Sequence, residues 1–277
     1  DKADYIFFLL NDLSAQPSLD AQKKMAKNME NDKNYILIFK SGDFIAFKKQ
    51  NLYKDIIPNP KNEQINLFPY SITTLSNRKY ISQNIKIEKS VEENLEFKSY
   101  VISFNSDSLK QYALMNIPNT KKPENGFPVI IINHGFIEPN DYDTINSYKS
   151  ITDYFSKNEY LVLKPDYRGN GKSEVADKAL MRFGYPVDVL NLIESLNNIP
   201  QANSNQIYLY GHSMGGEITL IVLEVVGKNP QILTKIKAAV VWAPVTDLSD
   251  WFNKSHVPCL QETKNNMNYY ADTFKIM

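Results

Sequence analysis

Residues 207–220 read Ile-Tyr-Leu-Tyr-Gly-His-Ser-Met-Gly-Gly-Glu-Ile-Thr-Leu, and this stretch decides the fold that the sequence predicts. Its first four residues predict a short apolar strand, and the residues after Ser213 predict an apolar helix. The frame Gly211-x-Ser213-x-Gly215 between them is that of a nucleophile elbow, a sharp strand-to-helix turn that presents a serine. Glycine is needed on either side because a Cβ there would collide with the neighbouring strand and helix. The first amides of the helix would point at the serine.

The rest of the chain alternates between strand and helix patterns. Unbroken apolar runs are typical of strands buried on both faces of a parallel sheet, and they occupy residues 128–133, 160–163, 207–210 and 238–242. Helical patterns lie between them, at residues 147–156, 186–196 and 213–226. Before them, strand patterns at residues 85–88, 100–104 and 112–117 predict an antiparallel start. The sequence therefore predicts an α/β fold with a mostly parallel sheet and helices on both faces.

The sequence predicts three regions. Residues 1–75 form an N-terminal appendage, with a helix at 21–29 capped by Ser18 and a hairpin of strands 34–40 and 43–48. Prolines in a polar stretch then indicate a linker, and they are Pro58, Pro60 and Pro69. Residues 76–246 form the α/β core. Residues 247–277 begin a lid or insertion.

Composition excludes some function classes. The 277 residues carry 31 basic and 31 acidic side chains, so net charge gives no case for binding nucleic acid or an anionic membrane. No apolar run approaches the roughly 20 residues of a membrane helix. The single cysteine, Cys259, cannot form an internal disulfide, and no motif around it activates a thiol. The chain opens on Asp1, so a removed leader stays possible and the compartment is not predicted. We expect no metal and no cofactor.

Two further motifs directly follow buried strands. One is His134-Gly135-Phe136, and the other is the loop from Asp166 to Ser173, which reads DYRGNGKS. Because the carboxyl ends of parallel strands meet at one edge of a sheet, both motifs are expected to lie beside Ser213. A His-Gly step at this place is typical of the loop that gives an oxyanion hole its second amide, the first coming from the residue after the nucleophile.

In this order and spacing, the three motifs resemble the α/β-hydrolase superfamily over roughly residues 84–250. Within it the sequence is most similar to prolyl oligopeptidase-type serine peptidases and dienelactone-hydrolase-like proteins. The resemblance implies a Ser-His-Asp triad that works through an acyl-enzyme. It makes Ser213 the nucleophile and the backbone N–H groups of Met214 and Phe136 the oxyanion hole. The histidines within the motifs, His134 and His212, are expected to brace the loops, as are Asp166 and Arg168.

The motifs do not identify the acid and the histidine of the triad. In the superfamily the acid and the histidine follow later strands, and this chain ends soon after its sixth core strand. We therefore expect a C-terminally truncated fold whose acid and histidine lie beyond Met277. The alternative is a triad completed by Asp247 and His256.

Three functions are compatible with these residues. The first, which the resemblance favours, is a serine hydrolase that cleaves amide or ester bonds through an acyl-enzyme. It would be a prolyl oligopeptidase-like peptidase with a peptide or a small molecule as substrate. The second is a carboxylesterase or lipase-like hydrolase. The third is a non-catalytic binding protein with the same fold.

Overall fold

A computed structural model describes residues 5–9, 19–33, 35–41, 44–49, 68–177 and 180–246. Several residues that the sequence singles out lie outside these ranges, and they are Ser18, Pro58, Pro60, Asp247, His256 and Cys259. The described residues divide into two compact units. One consists chiefly of residues before 78, and the other contains Arg78–Val222 and Thr234–Pro244.

The first unit contains an antiparallel sheet of three strands with a helix packed on it. Its elements are β1 (Tyr5–Leu9), α1 (Leu19–Glu30), β2 (Tyr35–Ser41), β3 (Phe44–Lys49), a 3-10 turn at Phe68–Tyr70 and α2 (Ile72–Asn77). The strand order is β1-β3-β2, and the buried side chains of Ala26, Ile45 and Phe47 form its core. The helix and the hairpin predicted here are both present.

The second unit is built on a sheet of seven strands. In chain order these are β4 (Lys86–Glu93), β5 (Phe97–Ser106), β6 (Leu109–Pro118), β7 (Phe127–Asn133), β8 (Leu161–Pro165), β9 (Ala202–His212) and β10 (Ile236–Trp242). Its helices are α3 (Lys149–Lys157), α4 (Met181–Ser195) and the greater part of α5 (Met214–Gly227), with a 3-10 turn at Leu196–Asn198. The end of α5, from Leu223, and the short helix α6 (Pro230–Leu233) are grouped with the first unit.

The strand order in this sheet is β10-β9-β7-β8-β6-β5-β4. The four strands from β7 to β10 run parallel, and they correspond to the four unbroken apolar runs. The strands β4, β5 and β6 pair antiparallel, as their alternating patterns predict. The predicted α/β class with a mostly parallel core is therefore confirmed.

Helices cover both faces of the sheet. On one face α3 packs Ile151 and Phe155 against a buried cluster of Ile130, Ile132 and Val162. On the other face α4 packs against β5, where Asn191 donates a hydrogen bond to Ser106 Oγ. None of the helices in the described ranges is long and apolar enough to cross a membrane.

The predicted start of α4 is wrong by five residues. Proline favours the first turn of a helix, which placed the start at Pro186, but the helix begins at Met181 and Pro186 lies inside it. Phe183 and Tyr185 are buried, and Arg182 forms an ion pair with Glu217 of α5. The free energy gained from these contacts outweighs the cost of the backbone hydrogen bond that Pro186 cannot donate.

Candidate active site

Ser213 occupies the turn between β9 and α5. Its φ is +54°, a left-handed conformation that costs a non-glycine residue energy. Its N–H donates to the carbonyl oxygen of Trp242 in β10, at 2.9 Å. Its carbonyl oxygen accepts from the N–H groups of Gly216 and Glu217, at 2.9 and 3.2 Å. The backbone of Ser213 is thus fixed both by the sheet and by the first turn of the helix.

The glycines of the elbow stand where no Cβ fits, as predicted. A Cβ built on Gly215 would lie 2.0 Å from the carbonyl oxygen of Asn133, at the end of β7. A Cβ built on Gly211 would lie 2.4 Å from Thr219 Oγ1 in α5. These spacings bring the end of β7 directly against the elbow.

The loop after β7 lies beside Ser213. A Cβ built on Gly135 would be 3.2 Å from Ser213 Cβ, so the two backbones are in close contact. Phe136 follows Gly135, and 39% of its side chain is exposed. Met214 is the first residue of α5, and its side chain is buried. The structure therefore brings together Ser213 and the chain segments that carry Met214 and Phe136, whose roles remain predictions.

His134 is a buried structural residue. Its Nδ1 lies 2.7 Å from the carbonyl oxygen of Gly135, and its Nε2 lies 3.4 Å from that of Asp166. Its ring stacks between those of Tyr142 and Tyr167, with centroids 4.7 and 4.4 Å away. His134 therefore braces two loops, as the sequence predicts.

A buried polar cluster surrounds Asp166. Its carboxylate accepts hydrogen bonds of 2.6 Å from the hydroxyl groups of Tyr142 and Thr144. Lys164 Nζ donates to Tyr142 Oη at 3.1 Å and lies 4.8 Å from the centre of that ring. Burial raises the pKa of Asp166 and lowers the pKa of Lys164 to about 8. Burial, with the Lys164 charge added, lowers the pKa of His134 to about 3, so this imidazole is neutral near pH 7.

Arg168 is held in a buried ion pair. Its guanidinium binds both carboxylate oxygens of Asp188 in α4, with a shortest distance of 2.6 Å, and also reaches Asp107 at 3.2 Å. Burial opposes the charge of Arg168, but the two carboxylates raise its pKa above the usual value. A Cβ on Gly184 would overlap this guanidinium. Arg168 thus braces the loop after β8 against α4, as predicted.

Tyr148 is a site residue that the sequence did not reveal. Its hydroxyl accepts a hydrogen bond of 2.8 Å from the N–H of Gly135 and contacts Nδ1 of His212. Its side chain is half-buried and its φ is +62°. No local pattern indicates such a contact, because Tyr148 lies 64 residues from His212.

Other buried polar residues near the site were also missed from the sequence, although two of them have a recognisable sequence pattern. Lys164 is a charged residue at the end of an apolar run, and Asp188 is a charged residue in an apolar helix. Buried charges normally have a charged or hydrogen-bonding partner, so both residues could have been flagged as members of a buried polar cluster. Tyr142 and Thr144 have no such pattern.

The described residues give Ser213 no imidazole partner. His134 and His212 make the contacts given above, and neither forms a hydrogen bond with the Ser213 hydroxyl. Asp247 and His256, the alternative triad pair, lie outside the described residues. The described ranges contain no group of three or more His, Cys, Asp or Glu side chains suited to hold a metal ion.

Comparison with known proteins identifies the family. Residues 126–272, more than half of the chain, match the family model described as serine aminopeptidase, S33. The chain belongs to the serine aminopeptidase S33 family. Membership of this family places it in the α/β-hydrolase superfamily, as the sequence predicts. The finer predicted likeness, to prolyl oligopeptidase-type and dienelactone-hydrolase-like proteins, is not shown by these comparisons.

This S33 family member also resembles individual proteins. It is 29% identical over 148 residues to putative esterase/lipase 2 of Mycoplasma genitalium, a match that covers 53% of this chain and 49% of that relative. The chain therefore matches about half the length of that relative.

Two solved structures share the fold. One is acetyl xylan esterase 1 from Thermoanaerobacterium sp., with a TM-score of 0.54, 16% identity, and coverage of 72% of this chain and 65% of that one. The other is an acetyl xylan esterase from a Paenibacillus species, with a TM-score of 0.54, 14% identity, and coverage of 78% and 74%. At these identities the likeness concerns the fold alone.

Proposed function

We propose that this protein is a serine esterase that cleaves carboxylic esters of small molecules through an acyl-enzyme on Ser213. The observation that carries the proposal is the contact between Gly135 and Ser213, which sets the serine of a left-handed elbow beside the loop after β7. The relative in Mycoplasma genitalium is named as an esterase or lipase. That name favours the esterase alternative over the peptidase that the sequence resemblance put first.

The proposed reaction begins with attack by Ser213 Oγ on the ester carbonyl carbon. A C–O bond forms, and the carbonyl oxygen becomes an oxyanion that accepts hydrogen bonds from the N–H groups of Met214 and Phe136. During the attack the Ser213 proton passes to a base. Collapse of the intermediate then breaks the ester C–O bond, the base returns the proton to the departing alcohol, and the acyl group stays on Ser213. Water then attacks the acyl-enzyme, releases the acid and restores the hydroxyl. Loss of one such oxyanion donor raises a barrier by about 3–4 kcal/mol.

The proposed base is an imidazole outside the described residues. His134 cannot supply it, because its pKa is about 3 and its Nδ1 faces the carbonyl of Gly135. His256 is one candidate, and a histidine beyond Met277 is the other. Activity that survives in His256→Ala would favour the second.

A fluorophosphonate probe tests the nucleophile in the full-length protein. We expect labelling of the wild type and none of Ser213→Ala. Turnover of p-nitrophenyl acetate, compared with that of an aminoacyl p-nitroanilide, then tests the substrate class. Ester hydrolysis that is lost in Ser213→Ala supports the proposal. A full-length protein that neither labels nor hydrolyses the ester would favour the binding-protein alternative.

A peptidase is the second candidate, because the matching family model carries an aminopeptidase description. Ester hydrolysis is chemically easier than amide hydrolysis, so ester turnover alone does not identify a peptidase. A kcat/KM for the p-nitroanilide as high as that for the ester would replace the esterase proposal with the peptidase.

A further inference from the structure

We propose that Tyr148 is a positioning residue for this site, whose hydroxyl group joins the loop after β7 to the nucleophile elbow. This inference rests on the proposed function, since it concerns the oxyanion side of the same serine. Tyr148 acts through Gly135, and so it sets the position of the adjoining Phe136 N–H.

The first support is the place of the hydroxyl group. A Cβ built on Gly135 would lie 2.9 Å from Tyr148 Oη and 3.2 Å from Ser213 Cβ. The phenol and the serine therefore approach the same point, which is open only because residue 135 has no side chain. The phenol reaches this point from the residue just before α3.

The second support is the hydrogen bonding of Gly135. Its N–H donates to Tyr148 Oη at 2.8 Å, while its carbonyl oxygen lies 2.7 Å from His134 Nδ1. The peptide group between Gly135 and Phe136 contains that carbonyl and the Phe136 N–H. Tyr148 and His134 thus hold Gly135 from both ends, which orients the N–H proposed as an oxyanion donor.

The third support is the contact with the elbow. The phenol has one proton and accepts from Gly135, so its proton is free to be donated to Nδ1 of His212, which then carries its own proton on Nε2. Burial raises the pKa of Tyr148, so the phenol keeps its proton near neutral pH. The result is a chain from the Gly135 N–H through Tyr148 to His212, the residue before the nucleophile.

The fourth support is backbone strain. Tyr148 has a φ of +62°, which is unfavourable for an aromatic residue. Its carbonyl accepts from the N–H groups of Ile151 and Thr152, at 3.1 Å each, and its ring packs against the cluster of Ile130, Ile132 and Val162. The fold therefore holds a strained conformation that directs the phenol towards Gly135.

The test uses the full-length protein and three single substitutions at the hydrogen-bonded pair, one of Tyr148 and two of His212. Tyr148→Phe removes only the hydroxyl. In His212→Gln the amide lies near the former Nε2, whereas in His212→Asn it lies near the former Nδ1 and can still accept from Tyr148. Tyr154→Phe is the matched control, because Tyr154 lies on α3 with 61% of its side chain exposed.

The readouts are kcat and KM for p-nitrophenyl acetate and the inhibition constant of phenylboronic acid, whose tetrahedral adduct with serine carries the oxyanion charge. We expect Tyr148→Phe and His212→Gln each to lower kcat and boronate affinity by about 10- to 100-fold, with KM within about twofold. His212→Asn and Tyr154→Phe should stay within about threefold of the wild type. The kcat of the double variant Tyr148→Phe/His212→Gln should be no lower than that of either single variant. Both substitutions break the same bridge, which is the hydrogen-bonded chain from Gly135 through Tyr148 to His212.

Several outcomes would overturn the inference. A kcat of Tyr148→Phe within twofold of the wild-type value would refute the positioning role of Tyr148 and leave the esterase proposal intact. So would losses of kcat in Tyr148→Phe and His212→Gln that multiply in the double variant. A change in KM alone would assign Tyr148 to substrate binding instead. If Tyr148→Phe does not fold, equal losses in His212→Asn and His212→Gln would count against the bridge. A wild type without activity or labelling would overturn the proposed function and the inference with it.

Discussion

The side-chain amide of Asn133 donates a hydrogen bond to the hydroxyl oxygen of Thr219, 2.8 Å away. The Thr219 hydroxyl in turn donates to the carbonyl oxygen of Gly215, also at 2.8 Å. Asn133 ends β7 and Thr219 lies in the second turn of α5, and both side chains are fully buried. Two buried hydrogen bonds therefore fix the end of β7 relative to the elbow.

Thr219→Val should break this connection without changing the side-chain volume. The Asn133 amide would then be buried without a partner, so we expect a loss of about 1–3 kcal/mol in the free energy of unfolding. Urea denaturation measures this loss. Thr152→Val is the control, because within the described part of the chain the Thr152 hydroxyl bonds only to the Lys149 carbonyl of the same helix, α3. Equal losses of unfolding free energy in the two variants would show that the Asn133–Thr219 connection stabilises the fold no more than a hydrogen bond within one helix.

Gly215→Ala should destabilise the protein and abolish labelling of Ser213 by the fluorophosphonate. Alanine normally stabilises a helix by about 1 kcal/mol relative to glycine. Here its Cβ would lie 2.0 Å from the Asn133 carbonyl oxygen and 2.6 Å from that of His134, so backbone must move. Thermal denaturation and the labelling rate measure the two effects. A variant more stable than the wild type, with an unchanged labelling rate, would contradict the packing of this elbow.

Asp188→Asn should cost about 3–5 kcal/mol in the free energy of unfolding. It leaves the Arg168 guanidinium buried without its main counter-charge. Asp153→Asn is a suitable comparison, because Asp153 forms a partly exposed pair with Lys149 one helical turn away and should contribute only about 0.5 kcal/mol. Urea denaturation of both variants measures the difference. Similar small losses would mean that Arg168 finds another partner.

His134 should make the protein less stable in mild acid. Its pKa is about 3 in the folded state and about 6.5 when unfolded, so the unfolded chain binds the proton first. The stabilisation is complete above pH 6.5 and is lost as the pH falls towards 3. Between pH 7 and pH 5 this loss is about 2 kcal/mol. Asparagine does not titrate, so in His134→Asn the free energy of unfolding, measured by urea denaturation, should fall by about 2 kcal/mol less between pH 7 and pH 5. Parallel curves of this free energy against pH for the two proteins would refute the lowered pKa of His134.

Local patterns predicted the parts of the fold that depend on local chemistry. The apolar runs became the parallel strands, and the elbow lies where Gly211 and Gly215 placed it, because strand burial and tight turns depend on neighbouring residues. The start of α4 was mispredicted because distant contacts extended that helix through Pro186. Tyr148 was missed because its role depends on a left-handed backbone and on partners far along the chain.

The hydrogen bond from Ser213 to Trp242 makes the direction of the nucleophile depend on β10, which lies at the edge of the described sheet and pairs there with β9 alone. Local opening of a single strand pairing costs less free energy than unfolding of the whole protein. Opening of the pairing between β10 and β9 would therefore turn the reactive serine out of alignment while β7 and β8 stay paired. Such a loss of activity would be reversible, because the strands β7 and β8 against which the elbow re-forms would still be folded.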